Sequence, residues 1–277
     1  GPIEPIPLNI FTGFLGAGKT TLLNRLLKDP AMSDTAVLVN EVGDIGIDHN
    51  LYEIVEDGVI LLSSGCLCCS VRGDLVNSLE NLLRARDNGR CKPFNRVVVE
   101  TTGIADPASV TRLAAAVGTQ PVDILINNAG TIGPAQDRQT TYTMDFDGWA
   151  EAFAINSMAP VRVMQTLLPN LRASTHGRVA NITSQMGAIS LDMNQALAYC
   201  ASKAALNKFM RLAALDLGQE GIHVCLIHPG WVQTDMGGAD AEITPQASAA
   251  GIVATIDKLD AGTNGSFWKW NGEPHDW

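Results

Sequence analysis

Short apolar runs separated by amphipathic stretches recur from one end of the 277-residue chain to the other. That alternation constrains the fold more than any other feature. A strand that feeds a helix and then another strand returns parallel to the first and packs the helix on the sheet. Strands are expected at Leu8–Thr12, Ala36–Asn40, Val59–Leu62, Arg96–Val99, Val122–Asn127, Val179–Thr183 and His223–His228. Helices are expected at Lys19–Lys28, Gly73–Asp87, Ala108–Ala116, Gly148–Leu168, Leu197–Leu217 and from Pro245 to about Leu259. The fold class is therefore α/β, a single doubly wound, mainly parallel sheet with helices on both faces. With no internal repeat and no Ser/Pro-rich linker, residues 1–277 read as one domain.

The formal charge of −10 argues against nucleic acid or an anionic membrane surface as a partner. No apolar run reaches the ~18 residues of a membrane helix. Six cysteines are too few for a disulfide scaffold and imply cytoplasmic parents. The Gly1-Pro2 start, without methionine, reads as the remnant of a cleaved tag, and hence as a recombinant chain with no native location. Self-association stays open.

GFLGAGKT, Gly13 to Thr20, fits G-x-x-x-x-G-K-[ST] between an expected strand and an expected helix. Glycines at such a loop let backbone N–H groups turn toward phosphate oxygens, and the helix N-terminus adds positive potential. Gly13, Gly16, Ala17, Gly18, Lys19, Thr20 and Thr21 are the expected nucleotide-binding residues. Lys19 can reach the phosphates and the Thr20 hydroxyl can ligate Mg²⁺. Glu100, ending the apolar run VVVE, is the expected second support for that metal. The ligand expected here is GTP or ATP with Mg²⁺, or a phosphate or sulfate ion. Between these motifs lie NEVGDIGID (Asn40–Asp48) and GCLCC (Gly65–Cys69). Thiolates with a carboxylate suit Zn²⁺, so Glu41 with Cys66 and either Cys68 or Cys69 is a candidate set; reduced, half-buried thiols are the alternative.

Taken together, GFLGAGKTTLLN, NEVGDIGID, GCLCC and ETTGIADP resemble the CobW family of metal-chaperone GTPases, over about Ile6 to Pro107. The resemblance implies that Gly16–Thr21 hold phosphates, that Glu41 and the cysteines handle metal, and that Glu100 supports Mg²⁺. It also implies an Asn-Lys-x-Asp segment reading guanine and a C-terminal domain, and no Asn-Lys-x-Asp occurs in the chain.

From about Ala108 the motifs change. DILINNAG (Asp123–Gly130) is a strand and a glycine turn, Asn156 sits in the next helix, and NITSQMG (Asn181–Gly187) ends a strand with Ser184. Tyr199 and Lys203 are four apart on an amphipathic helix and face the same way. HPGWVQTDMGG (His228–Gly238) closes the next strand. This ordered set is similar to the short-chain dehydrogenase/reductases, in their small carbonyl-reductase-like branch. The resemblance implies that Tyr199 donates a proton to a carbonyl, that Lys203 lowers the tyrosine's pKa and holds a nicotinamide ribose, that Ser184 polarises the carbonyl, that Asn156 anchors a relay water and that Thr234 holds the cofactor's carboxamide side. The family's Thr-Gly-x-x-x-Gly-x-Gly turn is missing, replaced by LNIFTGFLGAGKT. A loop that wraps a triphosphate chain differs from one that lays out a pyrophosphate, so NAD(P) is expected to fit badly and the four catalytic positions to be vestigial.

The expectation is an engineered fragment chimera: a P-loop half (3–107) and a Rossmann half (108–277), joined near 104–113. Its expected role is a folded scaffold that binds a nucleoside di- or triphosphate with little or no catalysis. The alternatives are a residual NAD(P)H-dependent carbonyl reductase and a metal-responsive GTPase or metallochaperone.

Overall fold

A computed structural model describes residues 104–277 except 234–236, together with residues 8–12, 35–40, 52–56, 59–62, 67–70, 88–89 and 96–101 of the N-terminal part. Among the described residues the architecture is α/β. Ten strands form one sheet in the order β10-β9-β8-β7-β1-β6-β2-β5-β4-β3. They are β1 (Leu8–Thr12), β2 (Thr35–Asn40), β3 (Tyr52–Glu56), β4 (Val59–Leu62), β5 (Leu67–Ser70), β6 (Arg96–Thr101), β7 (Ile124–Asn127), β8 (Arg178–Ile182), β9 (His223–His228) and β10 (Ser266–Lys269). Every neighbouring pair from β10 to β5 is parallel. The other edge is antiparallel, β5 to β4 and β4 to β3.

The central strand β1 pairs with β6 on one side and β7 on the other. The sheet therefore runs without a break across the expected junction near 104–113. Thr12 lies level with Asn127, and Asn127 with Asn181. The carboxyl ends of β1, β7, β8 and β9 thus share one edge, the place where parallel sheets carry their ligands.

Six α-helices are described: α1 (Pro107–Val117), α2 (Phe146–Phe153), α3 (Ala159–Thr166), α4 (Leu168–Ala173), α5 (Leu197–Gln219) and α6 (Pro245–Asp257). Successive strand residues point to opposite faces, and the core divides accordingly. Val179, Val224 and Leu226 pack with Val110 and Leu113 of α1, Val163 of α3 and Leu206 and Met210 of α5. Their neighbours Ala180, Ile182, Cys225 and Ile227 pack on the other face with Ile252 and Ile256 of α6. Helices cover both faces, as the alternation in the sequence requires.

Two differences from the sequence reading stand out. Strands β3, β5 and β10 were not expected. The single helix expected over Gly148–Leu168 is instead α2, a π-helical turn over Ala154–Met158, then α3 and α4. Pro160 and Pro169 are the cause: each lacks an amide hydrogen and opens a new helical segment at its first turn. The expected helices Lys19–Lys28 and Gly73–Asp87 lie outside the described residues.

Candidate active site

Helix α5 carries one buried stripe, Tyr199, Lys203, Leu206, Met210, Ala214 and Leu217, at helical spacing. The C-terminal part of that stripe is apolar and joins the core. Its N-terminal part is polar, and buried polar groups need partners. Lys203, only 3% exposed, donates from Nζ to the carbonyl oxygen of Ile182 at 3.0 Å, at the end of β8. Burial pushes the lysine down to about 8. Tyr199 is hydrogen-bonded to Ser184. Burial raises the tyrosine's pKa, and the bond to Ser184 offsets only part of that rise. The tyrosine's net shift is upward, with desolvation as its largest cause, and the Lys203 ammonium lies 6.0 Å from the ring centroid.

The π-helical turn gives Asn156 its place. A widened turn displaces the side chain from the ordinary helical register. Asn156 is fully buried. Its Nδ2 donates to the Thr131 carbonyl at 2.8 Å and to Ser202 Oγ at 2.9 Å, and its Oδ1 accepts from Thr131 N–H at 2.8 Å. Ser202 Oγ in turn donates to the Tyr199 carbonyl at 2.8 Å. Asn156 thereby ties the loop after β7 to helix α5. Ser184 follows β8 and accepts from Met186 N–H at 3.1 Å, capping the turn Gln185–Gly187. That turn presses on α5 at Gly187, where a Cβ would stand 2.9 Å from the backbone carbon of Lys203.

Ser184, Tyr199 and Lys203 line one cavity of about 310 Å³, bounded also by Asn128, Gly130, Ile132, His228, Trp231 and Ile252. That volume is at the low end for a ligand site. A Cβ on Gly130 would sit 3.4 Å from Lys203 Nζ and 3.7 Å from Asn156 Oδ1, so glycine keeps that wall open. His228 accepts from Gln185 N–H at Nδ1, at 3.2 Å. Burial, with help from His275 and Lys269, pushes it down to about 4, so it is neutral near pH 7.

The structure thus brings Ser184, Tyr199 and Lys203 together around one cavity, with Asn156 behind its wall, bonded to Thr131 and Ser202. Gly13, Gly16, Ala17, Gly18, Lys19, Thr20, Thr21, Glu41, Cys66 and Thr234 lie outside the described residues. Cys68 and Cys69 fall on β5, which borders β2, and Glu100 falls on β6, level with Phe11 of β1. Among the described residues there is no group of three potential metal ligands. Likewise, no described helix is long and apolar enough to cross a membrane. Sequence reading missed His228 and Ser202 as partners of the site. Ser202 lies inside the Tyr-x-x-x-Lys segment, the one signal that could have found it.

Comparison with known proteins matches two families to overlapping parts of the chain. Residues 77–243 match the short chain dehydrogenase family, and residues 7–140 match the family described as CobW/HypB/UreG, nucleotide-binding domain. The chain is 42% identical over 160 residues to the C-signal protein of Myxococcus xanthus, covering 57% of this chain and 95% of that one. It is 43% identical over 111 residues to zinc-regulated GTPase metalloprotein activator 1 of Schizosaccharomyces pombe, covering 38% of this chain but only 26% of that protein. The NADPH-bound carbonyl reductase from chicken fatty liver superposes with a TM-score of 0.68 at 24% identity, over 99% of this chain and 100% of its own. This likeness establishes the fold. The expectation that NAD(P) fits badly finds no support in it, since that neighbour carries NADPH.

Proposed function

The chain belongs to the short-chain dehydrogenase family, and on that premise we propose that it is a carbonyl-reducing site built on a sheet whose first loop is a P-loop. The observation that carries this reading is the convergence of Ser184, Tyr199 and Lys203 on one cavity, with Asn156 held behind its wall at Gly130 and Thr131. In it Ser184 Oγ holds the carbonyl oxygen and the Tyr199 hydroxyl gives that oxygen its proton. Lys203, pinned at Ile182, supplies positive potential when protonated, and Asn156 keeps the wall at Thr131 in place. A nicotinamide group, when bound, supplies hydride. The open wall at Gly130 and the size of the cavity fit that end of the cofactor.

We further propose that the chain is one hybrid domain of engineered origin, with a P-loop half (3–107) and a reductase half (108–277). In support, the GTPase relative matches only 38% of this chain, and the sheet pairs β1 with strands of both halves. Gly13–Thr21 then binds GTP or ATP, with Mg²⁺ at Thr20 and Glu100, and Zn²⁺ goes to Glu41 with Cys66 and Cys68 or Cys69. The relative named as a zinc-regulated GTPase favours that second, metal-linked reading of the front half.

Two measurements test this. Thermal-shift titration with GTP, ATP, NADH and NADPH, each with Mg²⁺, should show Lys19→Ala weakening GTP and ATP by about 10- to 100-fold, a lost charge-assisted contact. NADPH oxidation with an activated aromatic aldehyde should be detectable and vanish in Tyr199→Phe. Turnover absent from wild type would leave a nucleotide-binding scaffold in place of a reductase.

A further inference from the structure

Helix α5 starts without a cap of its own. Ala196, at its N-cap, has φ 51, and it is the one non-glycine residue with positive φ among those described. A side chain there costs about 1–3 kcal/mol of backbone strain, and alanine offers the first turn no acceptor. The free N–H groups of that turn must find partners elsewhere.

Gln139, sixty residues upstream and 0% exposed, supplies two of them. Its backbone carbonyl accepts from Leu197 N–H at 3.3 Å. Its side-chain Oε1 accepts from Tyr199 N–H, also at 3.3 Å. The other end of the amide is fully used as well, with Nε2 donating to the carbonyls of Pro134 at 2.5 Å and Ile132 at 3.1 Å. Ile132 lines the cavity, and its neighbour Thr131 is the residue held by Asn156. One buried amide therefore joins the cavity wall to the amide of the tyrosine.

We propose that Gln139 is a positioning residue for Tyr199, a helix cap supplied from a distant loop that sets the tyrosine hydroxyl against the wall formed by residues 130–134. The inference rests on the carbonyl-reducing reading of the site. The first turn of a helix is the part that frays, and here it follows a strained residue. The tyrosine moves with its backbone, and a displacement of about 1 Å at a reacting group costs ~10² in rate. The cap acts on proton transfer, while the substrate is held mainly by the apolar wall. Its loss should therefore be read in kcat and hardly in KM.

Two substitutions separate positioning from mere stability. Gln139→Met keeps the shape and removes every hydrogen bond of the side chain. Gln139→Glu, held neutral by burial, keeps an acceptor for Tyr199 N–H and one donor. Gln139→Met should lower kcat for NADPH-dependent aldehyde reduction at least about tenfold, with KM for the aldehyde within about twofold. Gln139→Glu should restore kcat to within about threefold of wild type. Hydrogen exchange of the Tyr199 amide should quicken about tenfold or more in the Met variant and stay near wild type in the Glu variant. Unchanged kcat and exchange in Gln139→Met, or equal losses in both variants, would overturn the proposal. Should wild type turn nothing over, the carbonyl-reducing reading fails. Amide exchange then decides the positioning by itself, and unaltered Tyr199 protection in the Met variant rejects it. Should Gln139→Met not fold, a folded Gln139→Glu with kcat down more than about tenfold rejects it instead.

Discussion

Lys203→Met should make the protein more stable at neutral pH while removing a group the proposed reaction uses. The lysine's pKa falls from 10.5 in the open chain to about 8 in the folded one, and burial is the whole cause. Between those values the unfolded chain holds a proton that the folded chain releases, so stability rises with pH from 8 to 10.5 and is fully reduced below 8. The reduction comes to about 3 kcal/mol, at about 1.4 kcal/mol per pH unit. Methionine carries no charge and has nearly the lysine's volume. It gives up the bond from the ammonium to the Ile182 carbonyl, worth about 1.5 kcal/mol at the low end for a charged donor. The variant should therefore be about 1.5 kcal/mol more stable at pH 7. The gap should close by about 1.4 kcal/mol per unit above pH 8. Cys225, pushed up to about 12 by burial, and Tyr199, also raised, bend both stability curves downward in the alkaline range. The difference between the two proteins isolates the lysine. Urea denaturation at pH 6.5, 7.5, 8.5 and 9.5 is the assay. A variant less stable than wild type at pH 7.5, or a difference that does not change with pH, would refute the reasoning.

In α6, a Cβ on Gly251 would lie 2.3 Å from the Trp270 carbonyl oxygen and 2.8 Å from its ring, so Gly251→Ala should cost about 1–3 kcal/mol in urea denaturation, whereas Gly262→Ala, meeting only Asp260 Oδ1 at 3.4 Å, should be near neutral. His228 titrates at about 4 when folded against 6.5 when unfolded, so the open chain takes its proton first and stability drains away as pH falls from 6.5 to 4. His228→Asn, which can still accept from Gln185 N–H, should flatten that part of the acid limb. Parallel acid limbs in the two proteins would rule the histidine out as a contributor.

The sequence by itself determined the features that are written locally. Strand–helix alternation gave the parallel α/β sheet, because hydrophobic period and strand length are properties of consecutive residues. The ordered set Asn156, Ser184, Tyr199, Lys203 was legible as chemistry-bearing residues, since two of them share a helix face and Ser184 ends a strand. The pair β3–β4 was partly legible: Asp57-Gly58 lies between two apolar runs, a spacing that favours a hairpin, although only the second run was expected as a strand.

Tertiary structure alone decided how those pieces act on one another. Strand β10 and the docking of β5 on β2 depend on pairing between residues far apart in the chain, where local propensity is silent. The π-helical turn at Asn156 stands just ahead of Pro160 and lets the side chain bond across to Thr131 and Ser202. Gln139 is an unremarkable amide in sequence and becomes a cap for α5 only because the loop after β7 folds against that helix. The pKa values of Tyr199 and Lys203 follow the same rule. Residue type sets the starting value, and removal from water by the surrounding elements sets the direction and size of the change.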